Sequence, residues 1–98
     1  MDTDDVVSLH VVVTDEDIRA GIRLMASRCP VALALNRALA EAGHFMPNKV
    51  DAGGVCVGFG RWWPWQDSRV TQFVFNFDGA SPVEPFEFDQ EIPARMFS

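Results

Sequence analysis

Residues 29–43 read CPVALALNRALAEAG and form the most regular stretch of the sequence. Its apolar positions recur at helical spacing and make one continuous stripe: Val31, Ala34, Leu35, Ala38, Leu39 and Ala42. Pro30 suits the first helical position, where its missing N–H is no loss. Gly43 suits the left-handed residue that ends a helix. The stretch therefore predicts a helix over residues 30–42 that covers one face of a sheet.

The segment before this helix predicts a strand followed by a short helix. Residues 6–14 are mostly apolar on both faces of an extended chain, which is typical of a central strand. Thr14 suits an N-cap, and the acidic residues 15–17 suit a first helical turn because the helix dipole favours negative charge there. Gly21 is expected to end the short helix.

The segment after the main helix predicts a β-hairpin and then a tryptophan-rich loop. Residues 49–52 and 55–59 are short strand candidates, and the Gly53-Gly54 pair between them is turn chemistry. Residues 61–65 read RWWPW and are expected to form a loop, because Pro64 interrupts any regular pattern.

The last third of the chain predicts a second long helix and a final strand. Residues 66–78 carry apolar side chains at helical spacing, with Asp67 or Ser68 as the cap and Gly79 as the stop. Residues 86–92 form the clearest strand pattern of the chain. Their two rows are Phe86, Phe88 and Ile92 on one face, and Glu87, Asp89 and Glu91 on the other.

The resulting order of major elements, β-α-β-β-α-β, is the split βαβ or ferredoxin-like pattern of the α+β class. It predicts one antiparallel-rich sheet with both long helices on one face and an extra short helix after the first strand. The first and third strands would be central. The acidic last strand would be an edge, where its carboxylates discourage aggregation.

Length and composition exclude several functional classes. A chain of 98 residues makes one domain, of which residues 1–5 are expected to be disordered. The net charge of −6 argues against binding of nucleic acid, which needs a basic surface. Two cysteines are too few for a disulfide framework and favour a reducing compartment. The acidic start does not resemble a signal peptide, and no apolar run is long enough to span a membrane.

Two sets of residues are candidates for a catalytic or metal-binding role. Cys29 at a helix start would have a lowered thiol pKa, with His10 or His44 as a base; its alternative is a small buried side chain. A second set combines zinc-ligand types expected on one sheet face: His10, Cys56, Glu87, Asp89 and Glu91. Its spacing matches no known ligand pattern, so we expect neither a metal nor a cofactor.

The tryptophan cluster is the most unusual local feature. Trp62, Trp63 and Trp65, beside Arg61, are candidates for a protein-docking patch, because tryptophan is enriched at interface hot spots. The alternative is a lid over one end of the core. If all three are buried, the interaction surface is expected on the acidic face that carries Glu87, Asp89 and Glu91.

Three short motifs stand out along the chain: VTDEDIRAG at residues 13–21, CPVALAL at residues 29–35 and PVEPFEF at residues 82–88. Together they resemble a family of small uncharacterised proteins encoded by actinobacterial bacteriophages. The tryptophan cluster departs from the family pattern. The resemblance implies a phage accessory protein in the cytoplasm of the bacterial host, and it carries no catalytic residue.

The first functional hypothesis is therefore a non-enzymatic protein that binds and modulates a host protein. One alternative is a small cysteine-dependent enzyme that uses Cys29. The other is a self-associating structural protein, such as a homodimer held by the tryptophan cluster. We expect neither nucleic acid nor membrane as a partner.

Overall fold

The computed structural model describes residues 5–58 and 61–97. Its helices are α1 (Asp15–Ala20), α2 (Pro30–Glu41) and α3 (Ser68–Asp78), and a 3₁₀ helix covers Ala94–Phe97. Its strands are β1 (Val6–Val13), β2 (Asn48–Val50), β3 (Gly54–Val57), β4 (Trp62–Pro64) and β5 (Phe86–Pro93). The α+β class predicted from the sequence is confirmed.

The described strands form two antiparallel sheets instead of one. The first sheet pairs β1 with β5, in a register that places His10 opposite Asp89 and Val12 opposite Glu87. The second sheet has the order β2-β3-β4. The hairpin expected around Gly53 is present, and the Asp51 side chain accepts hydrogen bonds from the N–H groups of Gly53 and Gly54.

The expected ferredoxin-like sheet is not formed by these strands. Two of its three pairings are present, β1 with β5 and β2 with β3, but the parallel pairing of β1 with β3 is not among them. The cause is the segment expected to be a loop. Trp62–Pro64 forms β4 and pairs with the edge of β3 that β2 leaves open, so both edges of β3 are occupied.

One apolar cluster joins both sheets to α2 and α3. Helix α2 turns Val31, Leu35 and Leu39 into it, and all three are fully buried. The ring of Phe73 of α3 packs at a tilt against that of Phe86 of β5, with ring centroids 5.0 Å apart. Both long helices therefore lie on the same face of the first sheet, and its opposite face is open to solvent.

An ion pair joins α1 to α2, and the same arginine joins α2 to β1. The capping box between Thr14 and Asp17 starts α1 as expected. Asp17 also accepts two bonds from Arg37 of α2, at 2.7 and 3.1 Å, and Arg37 donates a third to the carbonyl of Val12. Burial disfavours the charge of Asp17, but the bonds from Arg37 and Thr14 outweigh it and hold its pKa below the usual range.

A buried glutamine joins the two sheets at a point that the sequence pattern missed. Gln90 of β5 lies in the apolar row and is fully buried. Its amide oxygen accepts from Gln66 N at 3.1 Å, and its amide nitrogen donates to the carbonyl of Pro64 at 3.3 Å. In return, Gln66 Oε1 accepts from Glu91 N at 2.8 Å. Side-chain amides thus link β5 to the end of β4 and to Gln66, which follows it.

Both long helices end in a Schellman motif, but different residues hold the left-handed position. In α2 that residue is Gly43, at φ 87°, and His44 N closes the motif on the carbonyl of Leu39. In α3 it is Ala80, at φ 61°, because the glycine expected to end the helix, Gly79, sits one position early at φ −84°.

We expect Ala80→Gly to raise the free energy of unfolding by about 0.5–1 kcal/mol, because it removes a Cβ from a left-handed residue. Gly43→Ala should lower it by about 1 kcal/mol. A Cβ on Gly43 would meet no atom within 4 Å, so its effect is conformational alone. Urea denaturation followed by circular dichroism measures both changes in unfolding free energy. Changes of the same sign in the two variants would contradict the assignment of Gly43 and Ala80 to left-handed positions.

The expectation of disorder at residues 1–5 lies mostly outside the described residues. Asp5 is described, and its carbonyl accepts a hydrogen bond from Ala94 N at 2.9 Å, which extends the β1–β5 ladder. The predicted end of the third strand at residue 59 also lies outside the described residues.

Candidate functional site

The three tryptophans of the cluster occupy different environments because they sit on and next to a strand. Trp62 points away from the core and is 49% exposed. Trp63 and Trp65 are partly buried and pack against the core cluster. Side chains alternate along β4, so the neighbours Trp62 and Trp63 must face opposite ways. The cluster therefore combines one exposed aromatic side chain with two that cover the core.

Trp65 fixes the end of this segment. Its indole nitrogen donates to the carbonyl of Asp51 at 2.8 Å, and its ring meets Phe88 edge-on at 5.8 Å. These contacts attach the tryptophan segment to the β2–β3 turn and to β5. Trp62 consequently projects from a backbone that is held on both sides.

One basic side chain shares a row with Trp62 on the outer face of the second sheet. Cys56 is opposite Trp62 on one side and opposite Lys49 on the other, so these three residues form one row across the strands. Lys49 is exposed, and so is Arg61, which directly precedes β4 in the chain. This face therefore offers an aromatic side chain with a cationic one in the same row.

The acidic face is the solvent-exposed side of the first sheet, with Glu87, Asp89 and Glu91 on β5 and His10 on β1. His10 Nδ1 is 2.7 Å from Asp89 Oδ1, and His10 Nε2 is 3.6 Å from Glu87 Oε2. The hydrogen bond with Asp89 is the main reason that the pKa of His10 lies above its usual value. The sequence placed these residues on one face correctly, but it did not predict the histidine–carboxylate contacts.

The zinc-ligand set considered from the sequence is not assembled. Cys56 belongs to the second sheet, whereas His10 and the carboxylates belong to the first. Within residues 5–58 and 61–97, no group of three or more histidine, cysteine or acidic side chains is arranged to hold a metal ion. None of the helices in the described part of the chain is long and apolar enough to cross a bilayer.

Cys29 lies at the start of α2, as expected, but its environment disfavours a thiolate. It is 3% exposed, and burial raises the pKa of its thiol. A thiol with a raised pKa is mostly protonated near neutral pH, and the protonated form is a poor nucleophile. The geometry therefore favours the structural role of Cys29 over the catalytic one.

Comparison with known proteins adds no relative to this description. No protein-family model matches the chain, and neither a curated protein nor a solved structure matches it. The functional inference therefore depends on the geometry of the chain itself.

The contact of His10 with two carboxylates predicts a measurable pH dependence. A raised folded-state pKa means that protonated His10 stabilises the fold. This contribution is complete below the ordinary histidine value of 6.5 and is lost as the pH rises through the folded-state pKa. We expect an NMR titration of His10 to give a pKa above 6.5, and Asp89→Asn to lower it.

Glu91→Gln is the matched control for this titration, because Glu91 lies on the same face but pairs with Ser8 instead of His10. A His10 pKa that Asp89→Asn leaves unchanged would contradict the assigned contact. The pH dependence of unfolding should also flatten in His10→Gln.

Proposed function

We propose that this chain is a non-enzymatic accessory protein, of the kind encoded by actinobacterial phages, which binds and modulates a host protein in the bacterial cytoplasm. The observation that carries the proposal is the exposure of Trp62. This tryptophan is half exposed on β4, whereas the nearby Trp63 and Trp65 pack against the core. Large aromatic side chains in such positions dominate the energy of many protein interfaces.

The rigidity of the segment supports this role. Docking a side chain from a backbone that is already ordered loses less conformational entropy than docking one from a mobile loop. The pairing of β4 with β3 and the bond from Trp65 to Asp51 supply that order. Lys49 lies in the same row as Trp62, and Arg61 directly precedes it in the chain, so the complementary surface that we propose on the host protein is an apolar pocket bordered by carboxylates.

The enzymatic alternative, which uses Cys29, has a direct test. A catalytic thiolate alkylates rapidly near neutral pH, whereas a buried thiol with a raised pKa does not. We expect iodoacetamide to modify Cys29 far more slowly in the folded protein than in the protein unfolded in urea. Mass spectrometry of the peptide that contains Cys29 measures the extent of modification. Rapid modification of the folded protein would favour the enzyme.

The proposal itself is tested by affinity capture from actinobacterial lysate, followed by calorimetry with the captured protein. We expect Trp62→Ala to weaken binding by about 2 kcal/mol or more, which is roughly thirtyfold in Kd. Phe45→Ala is the matched control, because Phe45 is an exposed aromatic residue on the loop between α2 and β2. Equal affinities for wild type and Trp62→Ala would refute the role of Trp62.

Self-association is separated by sedimentation equilibrium of the purified protein. A dimer that Trp62→Ala dissociates would assign the tryptophan to the homodimer contact instead of a host protein. A monomer at the concentrations used for calorimetry agrees with the proposal.

A further inference from the structure

A second apolar surface lies away from Trp62. Eight large hydrophobic residues are exposed in the described part of the chain, and four of them belong to one region: Ile22, Leu24, Met25 and Phe75. Leu24 is 81% exposed and Phe75 70%. We call these four residues the apolar ledge. Exposed apolar patches on small proteins frequently mark interaction sites.

The loop that carries most of the ledge is ordered by its own backbone. Ile22 N donates to the carbonyl of Arg28 at 2.9 Å, and Arg28 N donates to that of Met25 at 3.0 Å, which closes the loop on itself. Leu24 has φ 63°, a left-handed conformation that is unfavourable for a leucine. The loop thus holds a bulky apolar side chain in solvent on a strained backbone, and such strain is common at functional sites.

Two further bonds attach the loop to the rest of the fold, and one of them is made to α3, the helix that carries Phe75. Leu24 N donates to Asp78 Oδ1 at 3.0 Å, and Phe75 lies one helical turn before Asp78 on α3. Val50 N donates to the carbonyl of Ala26 at 2.8 Å, so the loop runs along the edge of β2. Phe75 and Asp78 also line an open hollow of about 520 Å³.

Two basic side chains lie in the ledge loop although the chain carries a net charge of −6, and the carboxylate of Asp78, which contacts the loop, accepts a hydrogen bond from Leu24 N. Arg23 and Arg28 belong to the same closed loop, and both are exposed. None of the ion pairs between described residues involves either of them. Their guanidinium groups are therefore available to carboxylates of a partner.

We propose that the apolar ledge docks an acidic amphipathic segment of a partner protein. The apolar side chains of that segment pack on Leu24 and Phe75, and its carboxylates pair with Arg23 and Arg28. The surface lies along β2, at the opposite edge of the second sheet from Trp62 on β4. It is thus a separate site and goes beyond the function proposed above.

Charge argues against two other occupants. A symmetric dimer through the ledge would bring the arginines of both copies together, because an isologous interface uses the same patch twice. Two arginines supply little of the basic charge that binding to an anionic bilayer needs.

The test uses a labelled amphipathic peptide with leucine on one face and glutamate on the flanks, measured by fluorescence anisotropy. A control peptide has lysine in place of each glutamate. Leu24→Asn removes the apolar side chain and suits the left-handed backbone, and Phe75→Gln suits an exposed helix position. Phe45→Gln is the control for an exposed aromatic residue elsewhere.

We expect Leu24→Asn and Phe75→Gln each to weaken binding of the glutamate peptide by about tenfold, as hot-spot truncations do. The Phe45→Gln control should bind it as wild type does, and the lysine peptide should bind more weakly. The proposal is overturned if wild type does not bind the glutamate peptide, or if the ledge variants bind it unchanged. It is also overturned if wild type forms a dimer in sedimentation equilibrium that Leu24→Asn abolishes, because the occupant is then a second copy of the chain. Binding to phosphatidylserine vesicles that Leu24→Asn abolishes would overturn it too, because the occupant is then a membrane surface.

Discussion

Leu35→Ala is expected to lower the free energy of unfolding by about 2–5 kcal/mol, the range for removing a buried leucine side chain. Leu35 is fully buried in the core cluster that joins α2 to both sheets. The close packing around it allows little collapse of the cavity that the substitution leaves. For a domain of this size, such a loss is a large part of the total stability.

Leu33→Ala is the matched control, because Leu33 lies on the same helix but is only partly buried. Both variants keep the helix propensity of α2 high, so the difference between them reports packing. Urea denaturation measures the unfolding free energy of each variant, and the two values are compared if the m-values are the same. Losses of similar size in the two variants would mean that the buried face of α2 is assigned incorrectly.

Gly54→Ala should lower the free energy of unfolding by about 3 kcal/mol, because β3 and β4 approach each other too closely for a side chain there. A Cβ on Gly54 would overlap the carbonyl oxygen of Trp63 and lie 2.9 Å from its carbon and 3.2 Å from Pro64 Cα. These are backbone atoms, so the clash is relieved only if β4 moves. The displacement should shift the emission of Trp62 and weaken binding of the proposed host protein.

Gly53→Ala is the control for this experiment. A Cβ on Gly53 would meet Asp51 Oδ1 at 3.4 Å, which is an ordinary contact. Its unfolding free energy and tryptophan emission should stay close to those of wild type. Equal effects at the two adjacent glycines would indicate general sensitivity of the turn instead of a close approach of β4.

Local sequence was sufficient where each element is defined by its own residues. The apolar stripe and Pro30 define α2, Thr14 and Asp17 define the start of α1, and Asp67 caps α3. Helical spacing and capping act over a few residues, so they do not depend on the rest of the fold. The alternation of β5 likewise placed the carboxylates on one exposed face.

The candidate sites were predictable in part. Residue type singled out the tryptophans, but their exposure depends on which side chains of β4 face the core. Trp62 faces away from the core and Trp63 faces it. Position at a helix start suggested a reactive Cys29, but the packing around it raises the pKa of its thiol. The apolar ledge had no periodic signal, because it combines a loop with a residue of α3.

The sequence by itself therefore determined the helices, most strand positions, the α+β class and the acidic face. The tertiary structure decided which strands pair, because pairing depends on which segment occupies each free edge. Trp62–Pro64 occupies the edge of β3, and Gln66 and Gln90 then join the two sheets through side-chain amides. Such long-range choices depend on contacts between segments far apart in the chain, which no local pattern records.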